Sequence, residues 1–82
     1  MGLTLVTRED CELCDAMQAE LQQLSQILSL PALQLVDVDS DPQLQRRYGL
    51  KVPVLLLDGT LICYGRLQAG ELRRVLAKRA PA

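Results

Sequence analysis

Leu3-Thr4-Leu5-Val6-Thr7-Arg8-Glu9-Asp10-Cys11-Glu12-Leu13-Cys14 is the stretch that decides the fold. Its first five residues alternate apolar and polar, the period of a short strand. Arg8-Glu9-Asp10 is a charged loop. From about Cys11 to Leu28, the residues Leu13, Met17, Leu21, Leu24 and Leu28 recur at helical spacing with Gln and Glu between them, and Pro31 stops that helix. Two cysteines therefore stand where a strand gives way to an amphipathic helix. Free backbone N–H groups and the positive end of the helix dipole meet there, and both favour a thiolate. Positions three apart are neighbours on a helix surface, so the two sulfurs can reach each other. The geometry makes Cys11 the more exposed thiol and the nucleophile, and Cys14 the buried thiol that resolves a mixed disulfide. Glu9, Asp10, Glu12 and Asp15 oppose ionisation of Cys11, but exposed carboxylates are screened, so a modest lowering of its pKa is expected.

Working outward, Leu33 to Val38 reads as a second strand. Asp41-Pro42 opens a second helix, with Asp41 as cap and Pro42 at the first helical position. Leu44 and Tyr48 share one face of it, and Gly49 suits a left-handed position at its end. Val52 to Leu57 is an almost unbroken apolar run, the pattern of a strand covered on both faces. Asp58-Gly59 is a two-residue hairpin signal, Thr60 to Tyr64 the return strand, and Gly65 its end. A last helix from about Gln68 to Lys78 buries Leu72, Val75 and Leu76. The order is β-α-β-α-β-β-α. The first βαβ unit needs a crossover, hence parallel strands, and the last two strands form an antiparallel hairpin. The sheet is therefore four-stranded and mixed, in an α/β fold.

Size and composition limit what such a chain does. The 82 residues make one domain, read as 1–82, and 49% hydrophobic residues suffice for a packed core. A net charge of −1, with only Tyr48 and Tyr64 as aromatics, argues against nucleic acid. No apolar run approaches the ~20 residues of a membrane span, and no basic, cleavable leader precedes Leu3, so a cytoplasmic, membrane-free protein is expected. The chain has no histidine, which removes the commonest general base and the commonest metal ligand. Three cysteines are an odd number for a secreted disulfide scaffold. In a reducing compartment a C-x-x-C pair is more often catalytic or metal-binding.

Val52-Pro53 is the second signal. Proline opening a strand is tolerated, and X-Pro is the bond where cis is accessible. Cys63 falls in phase with Leu61, which places both on one face and Ile62 on the other, and it reads as a small buried hydrophobe. Three cysteines without histidine fall short of a four-ligand zinc site, so no metal is expected. A carboxylate-completed site, or an iron–sulfur cluster shared by two chains, is the outlying alternative. Arg73, Arg74, Lys78 and Arg79 complement the dipole of the last helix.

Strand, C-x-x-C at a helix start, βα unit, Val-Pro, hairpin and helix together resemble the thioredoxin fold in its short, glutaredoxin-like form. The likeness rests on Leu5-Val6-Thr7 through Cys11-Glu12-Leu13-Cys14 and on Tyr48-Gly49-Leu50-Lys51-Val52-Pro53-Val54-Leu55, and Asp58-Gly59 and Gly65-Arg66 extend it. The resemblance implies a three-layer fold, a cis Pro53 beside the sulfurs, Cys11 as attacking thiol and Cys14 as resolving thiol. Val52 and Pro53 would dock an extended substrate, and Lys51 and Arg66 would hold a peptide carboxylate. Two departures stand out. Glu12 and Leu13 replace the family's usual Pro-Tyr, and Tyr64-Gly65-Arg66-Leu67-Gln68 has one glycine and no acid where the family's glutathione site has paired glycines and an acid. The reading is a thiol–disulfide oxidoreductase, monomeric and without a resident cofactor, acting on a disulfide-bearing protein or small thiol. Glutathione is a candidate reductant against which the departures weigh. The alternative is a thioredoxin-fold binding module without turnover.

Overall fold

A computed structural model describes residues 2–79. The elements run β1 (Leu3–Thr7), α1 (Glu12–Leu24), β2 (Leu33–Asp37), a 3-10 turn (Val38–Ser40), α2 (Pro42–Tyr48), β3 (Val54–Leu57), β4 (Thr60–Tyr64) and α3 (Ala69–Arg79). One sheet has the strand order β2-β1-β3-β4. β1 pairs with β2 in parallel and with β3 antiparallel, Leu5 lying opposite Leu35 and Leu55. The mixed four-stranded sheet and the β-α-β-α-β-β-α order agree with the sequence reading.

The two faces of the sheet bury two cores. Leu3, Leu5, Leu55 and Leu57 face Met17 and Leu21 of α1 and Leu72 of α3. Val6, Val54 and Leu56 face Val38, with Leu44 and Tyr48 of α2 packed against them. Side chains alternate across a strand, so consecutive apolar residues feed opposite faces, and β3 is buried throughout. Three layers result, with α1 and α3 on one side and α2 on the other.

Three local expectations are corrected. The apolar stripe predicts α1 to Leu28, but the α-helix ends at Leu24. Ser25 Oγ donates to the Gln22 carbonyl at 2.6 Å, and the following amides of Gln26 and Ile27 bond three residues back rather than four. Ile27 is exposed and packs on nothing that would extend the helix. Gly49 is not left-handed. Its φ of −55° is helical, and the site excludes a side chain instead, because a Cβ there would lie 2.5 Å from the Gln45 carbonyl oxygen.

The third correction concerns Cys63. Leu55 pairs with Cys63 and Leu56 with Leu61, which leaves Ile62 as an extra residue on β4. This bulge shifts the alternation by one, so Cys63 and Leu61 face opposite sides. Cys63 enters the core beside Leu55, as a buried residue, while Leu61 is about half exposed. Ile62 packs on the Cys63 side rather than away from it.

The hairpin turn uses left-handed backbone at Asp58 (φ 51°) and Gly59 (φ 83°), as the Asp-Gly signal requires. Asp58 also closes the lower edge of the sheet. Its carboxylate accepts from the Gly2 amide at 2.8 Å and from Arg79 Nη1 at 3.0 Å.

Candidate active site

The carboxyl end of β1 delivers the chain to Cys11, which is the N-cap of α1. Asp10, just before it, is left-handed (φ 54°), a conformation that Asp tolerates better than most residues. Cys11 has extended backbone, its carbonyl accepts from the Asp15 amide at 3.0 Å, and its Sγ accepts from the Cys14 amide at 3.2 Å. Sulfur thus occupies the place that Ser or Asp takes at an ordinary helix start. Cys11 and Cys14 are joined as a disulfide, with their Cα atoms 5.2 Å apart. Cys11 is half-buried and Cys14 is 2% exposed, so only one of the two sulfurs is open to attack. Cys14, Met17, Leu21 and Leu24 form the inward stripe of α1, and Leu13 is left half exposed beside the pair.

The same end of the sheet carries the start of β3 and the end of β4, because Val54 lies opposite both Val6 and Tyr64. The Val52–Pro53 peptide bond is cis. Pro53 is buried, and its carbonyl accepts from the Gly65 amide at 2.8 Å, which ties the loop after β4 to the proline. Gly65 has φ 78°, a backbone that glycine adopts without penalty. Lys51 Nζ lies 5.3 Å from the centre of the Tyr64 ring, a cation–π contact that holds the lysine across the two strands. Arg66 is exposed on the far side of Gly65. With Leu13, Met17 and Glu20 it lines an open cavity of about 350 Å³ between α1 and the β4–α3 loop. Arg66 thus shares a cavity with Leu13 that neither cysteine lines, and Lys51 lies against Tyr64 two residues before Pro53.

Arg8 organises the opposite flank. Its Nε and Nη2 donate to the two Asp39 carboxylate oxygens at 3.1 and 3.2 Å, and its Nη1 donates to the Gly49 carbonyl at 2.9 Å. Gln45 Nε2 donates to Asp39 Oδ1 at 3.0 Å. These two donors hold the Asp39 carboxyl below the usual carboxylate range, Arg8 being the larger cause. The loop that carries Cys11 is thereby fastened to the end of α2, which leads to Pro53. In the sequence Arg8 reads only as part of a charged loop, and Asp39, Gln45 and Tyr64 carry no site role. The 31-residue gap between Arg8 and Asp39, and the pairing of β3 with β4 that sets Lys51 across from Tyr64, leave no local signal in the chain.

Cys63 lies apart from the pair. Burial pushes its thiol pKa up, against a smaller opposing effect of the Gln68 amide. Among the described residues no group of three or more His, Cys, Asp or Glu side chains is arranged to hold a metal ion. No helix among them is long and apolar enough to cross a membrane.

A three-layer sheet with a disulfide at the start of its first helix and a cis proline opening the third strand defines the thioredoxin-fold class. Within that class the chain belongs to the glutaredoxin-like domain family (DUF836), whose model matches residues 2–77. Uncharacterized proteins of Mycobacterium tuberculosis and Mycobacterium bovis are 32% identical over 79 residues, covering 90% of this chain and 80% of theirs. The structural-genomics target XcR50 from X. campestris shares 35% identity with a TM-score of 0.67, over 96% of this chain and 99% of that one. Reduced Escherichia coli glutaredoxin (19% identity, TM-score 0.60, 96% of both chains) shares the fold. Thioredoxin 1 from Thermosipho africanus does so too (17% identity, TM-score 0.61, 95% of this chain and 97% of that one).

Proposed function

We propose that the protein is a thiol–disulfide oxidoreductase that reduces disulfides through Cys11 and Cys14. One observation carries the reading: the two cysteines form a disulfide at a helix start, with Cys11 accessible and Cys14 buried. In the reduced protein the Cys14 amide and the other free N–H groups of the first turn face a Cys11 thiolate, and such charge-assisted hydrogen bonds favour the ionised form. The thiolate attacks one sulfur of a substrate disulfide. A Cys11–substrate bond forms, the substrate S–S bond breaks, and the first substrate thiolate leaves and takes up a proton. Cys14 then gives up its proton and attacks the Cys11 sulfur. The Cys11–Cys14 disulfide forms, the mixed disulfide breaks, and the second substrate thiol leaves. Two electrons pass from the dithiol to the substrate, and a cellular thiol must return them.

Val52 and the buried Pro53 are the proposed dock for extended substrate backbone, with Lys51 and Arg66 for a carboxylate. The single glycine and the lack of an acid in Tyr64-Gly65-Arg66-Leu67-Gln68 weigh against glutathione, so we favour a disulfide-bearing protein as substrate. A dithiol that must be re-reduced suits the cytosol. The test is a pair of substitutions. Cys11→Ser abolishes reduction of hydroxyethyl disulfide and insulin, whereas Cys14→Ser accumulates a mixed disulfide visible by mass spectrometry. Full turnover by Cys11→Ser sinks the assignment. Glu9, Asp10, Glu12 and Asp15, all exposed around the thiol, favour a second reading, a binding module whose dithiol turns over little. A protein that binds one partner saturably yet fails to reduce insulin meets that reading.

A further inference from the structure

The turn between α2 and Pro53 presents an apolar side chain to solvent in a way that packing does not explain. Leu50 is fully exposed. The turn that carries it is nonetheless fixed at three points. The Lys51 amide donates to the Tyr48 carbonyl at 2.8 Å, the Gly49 amide to the Gln45 carbonyl at 2.9 Å, and Arg8 Nη1 to the Gly49 carbonyl at 2.9 Å. The Arg8 contact also sets the turn against the loop that carries Cys11. The backbone that carries this leucine is already ordered, so docking on it adds little backbone cost, one part of pre-organisation.

Three cations lie within four residues of this leucine in the chain, Arg46 and Arg47 in the last turn of α2 and Lys51 directly after it. Among the described residues, Arg46, Arg47 and Lys51 have no carboxylate within 4.0 Å, the three ion pairs lying at Arg8–Asp39, Arg74–Glu71 and Arg79–Asp58. Arg47 lies 6.0 Å from the Tyr48 ring and Lys51 5.3 Å from the Tyr64 ring, so aromatic faces position two of the three. Asp41 lines one cavity with Arg46 and Arg47 but forms no ion pair with either. Carboxylates fill the other flank of the pair, at Glu9, Asp10, Glu12 and Asp15. The turn before Pro53 is therefore basic, and the loop and helix start around Cys11 are acidic.

We infer that Arg46, Arg47, Leu50 and Lys51 form a docking surface for an acidic segment, bearing an apolar residue, of a disulfide-containing protein. The segment's carboxylates lie against the cations and its apolar side chain against Leu50, while the acidic flank of Cys11 repels the opposite orientation. Unlike charges at a rim steer encounter and select among partners, and their effect falls with salt. The inference rests on the oxidoreductase reading for what the docked protein then undergoes, but docking itself is measured without turnover.

The probe is a short acidic peptide with one leucine and no cysteine, titrated into the full chain while amide chemical shifts are followed. Shifts are expected at Arg46, Arg47, Leu50 and Lys51, and a peptide with lysine for each acid gives none. Arg46→Glu with Arg47→Glu weakens binding about tenfold or more, Leu50→Ser weakens it independently, and added salt weakens the unaltered protein. Both substitutions lie on exposed positions, and retained dispersion of the remaining amide signals shows that the fold is intact. Equal binding of both peptides, shifts confined to the cations of α3, or a double variant that binds as before overturns the inference. Turnover of hydroxyethyl disulfide, measured on the same protein, tests the redox reading separately. Its failure leaves the peptide result standing.

Discussion

Cys11 and Cys63 show how much a thiol's chemistry depends on what surrounds it. Cys11 stands at a helix N-cap, half-buried, with a backbone amide on its sulfur. Cys63 is buried beside Leu55, and burial disfavours its charged form. The thiolate is the reactive species, so the two should differ sharply in rate. In the reduced protein at neutral pH, a limited dose of iodoacetamide is expected to alkylate Cys11 first and to leave Cys63 unmodified until the chain is unfolded in urea. Peptide mass mapping reads the order, and early labelling of Cys63 contradicts it. The C-x-x-C pair and its position were legible in the chain, since strand and helix periods meet at Cys11. The side on which Cys63 lies was not. One inserted residue in β4 reverses the parity on which such a reading depends, and nothing in Thr60–Tyr64 marks Ile62 as the extra one.

At the scale of elements, α3 is held to the sheet through few residues. Leu72 is its single fully buried side chain, and Val75 and Leu76 are half-buried around it. Removing three carbons from such a site loses their transfer free energy and leaves a cavity. Leu72→Ala is expected to lower stability by about 2–5 kcal/mol, read from urea denaturation. The equivalent change at half-buried Val75 should cost less. A loss below about 1 kcal/mol at Leu72 would mean that α3 contributes little to the core. The helices and strands themselves were mostly legible, because a 3.6-residue stripe and a two-residue alternation are local signals. The end of α1 was not, because Leu28 keeps the stripe's spacing while Ser25 turns the backbone.

The whole molecule is tied at its two ends by surface carboxylates with lowered pKa. Arg8 lowers Asp39, the Gly2 amide above all lowers Asp58, and Arg74 lowers Glu71. The sign follows from linkage. A carboxyl whose folded pKa lies below its unfolded value binds a proton more readily in the unfolded chain, so it stabilises the fold above the ordinary carboxylate range, near pH 4. That contribution is lost as pH falls through the lowered folded values. Thermal stability should therefore decline as acid is added from about pH 5 to about pH 2. Asp39→Asn and Asp58→Asn should each flatten the decline while lowering stability at neutral pH. Both groups are exposed, so each effect is small, and a melting series that shows unchanged acid sensitivity in both variants would falsify this assignment.

The sequence by itself determined the element order, the mixed sheet, the dithiol at a helix start and the proline that opens the third strand. Each of these follows from side chains close together in the chain, whose spacing sets which face is apolar and where a backbone can turn. The tertiary structure decided the rest. It clamps Arg8 to Asp39 and Gly49, stacks Lys51 on Tyr64 and turns Cys63 inward at a bulge. These are relations between residues far apart in sequence, and they exist only once the sheet has brought the ends of β1, β3 and β4 to one edge.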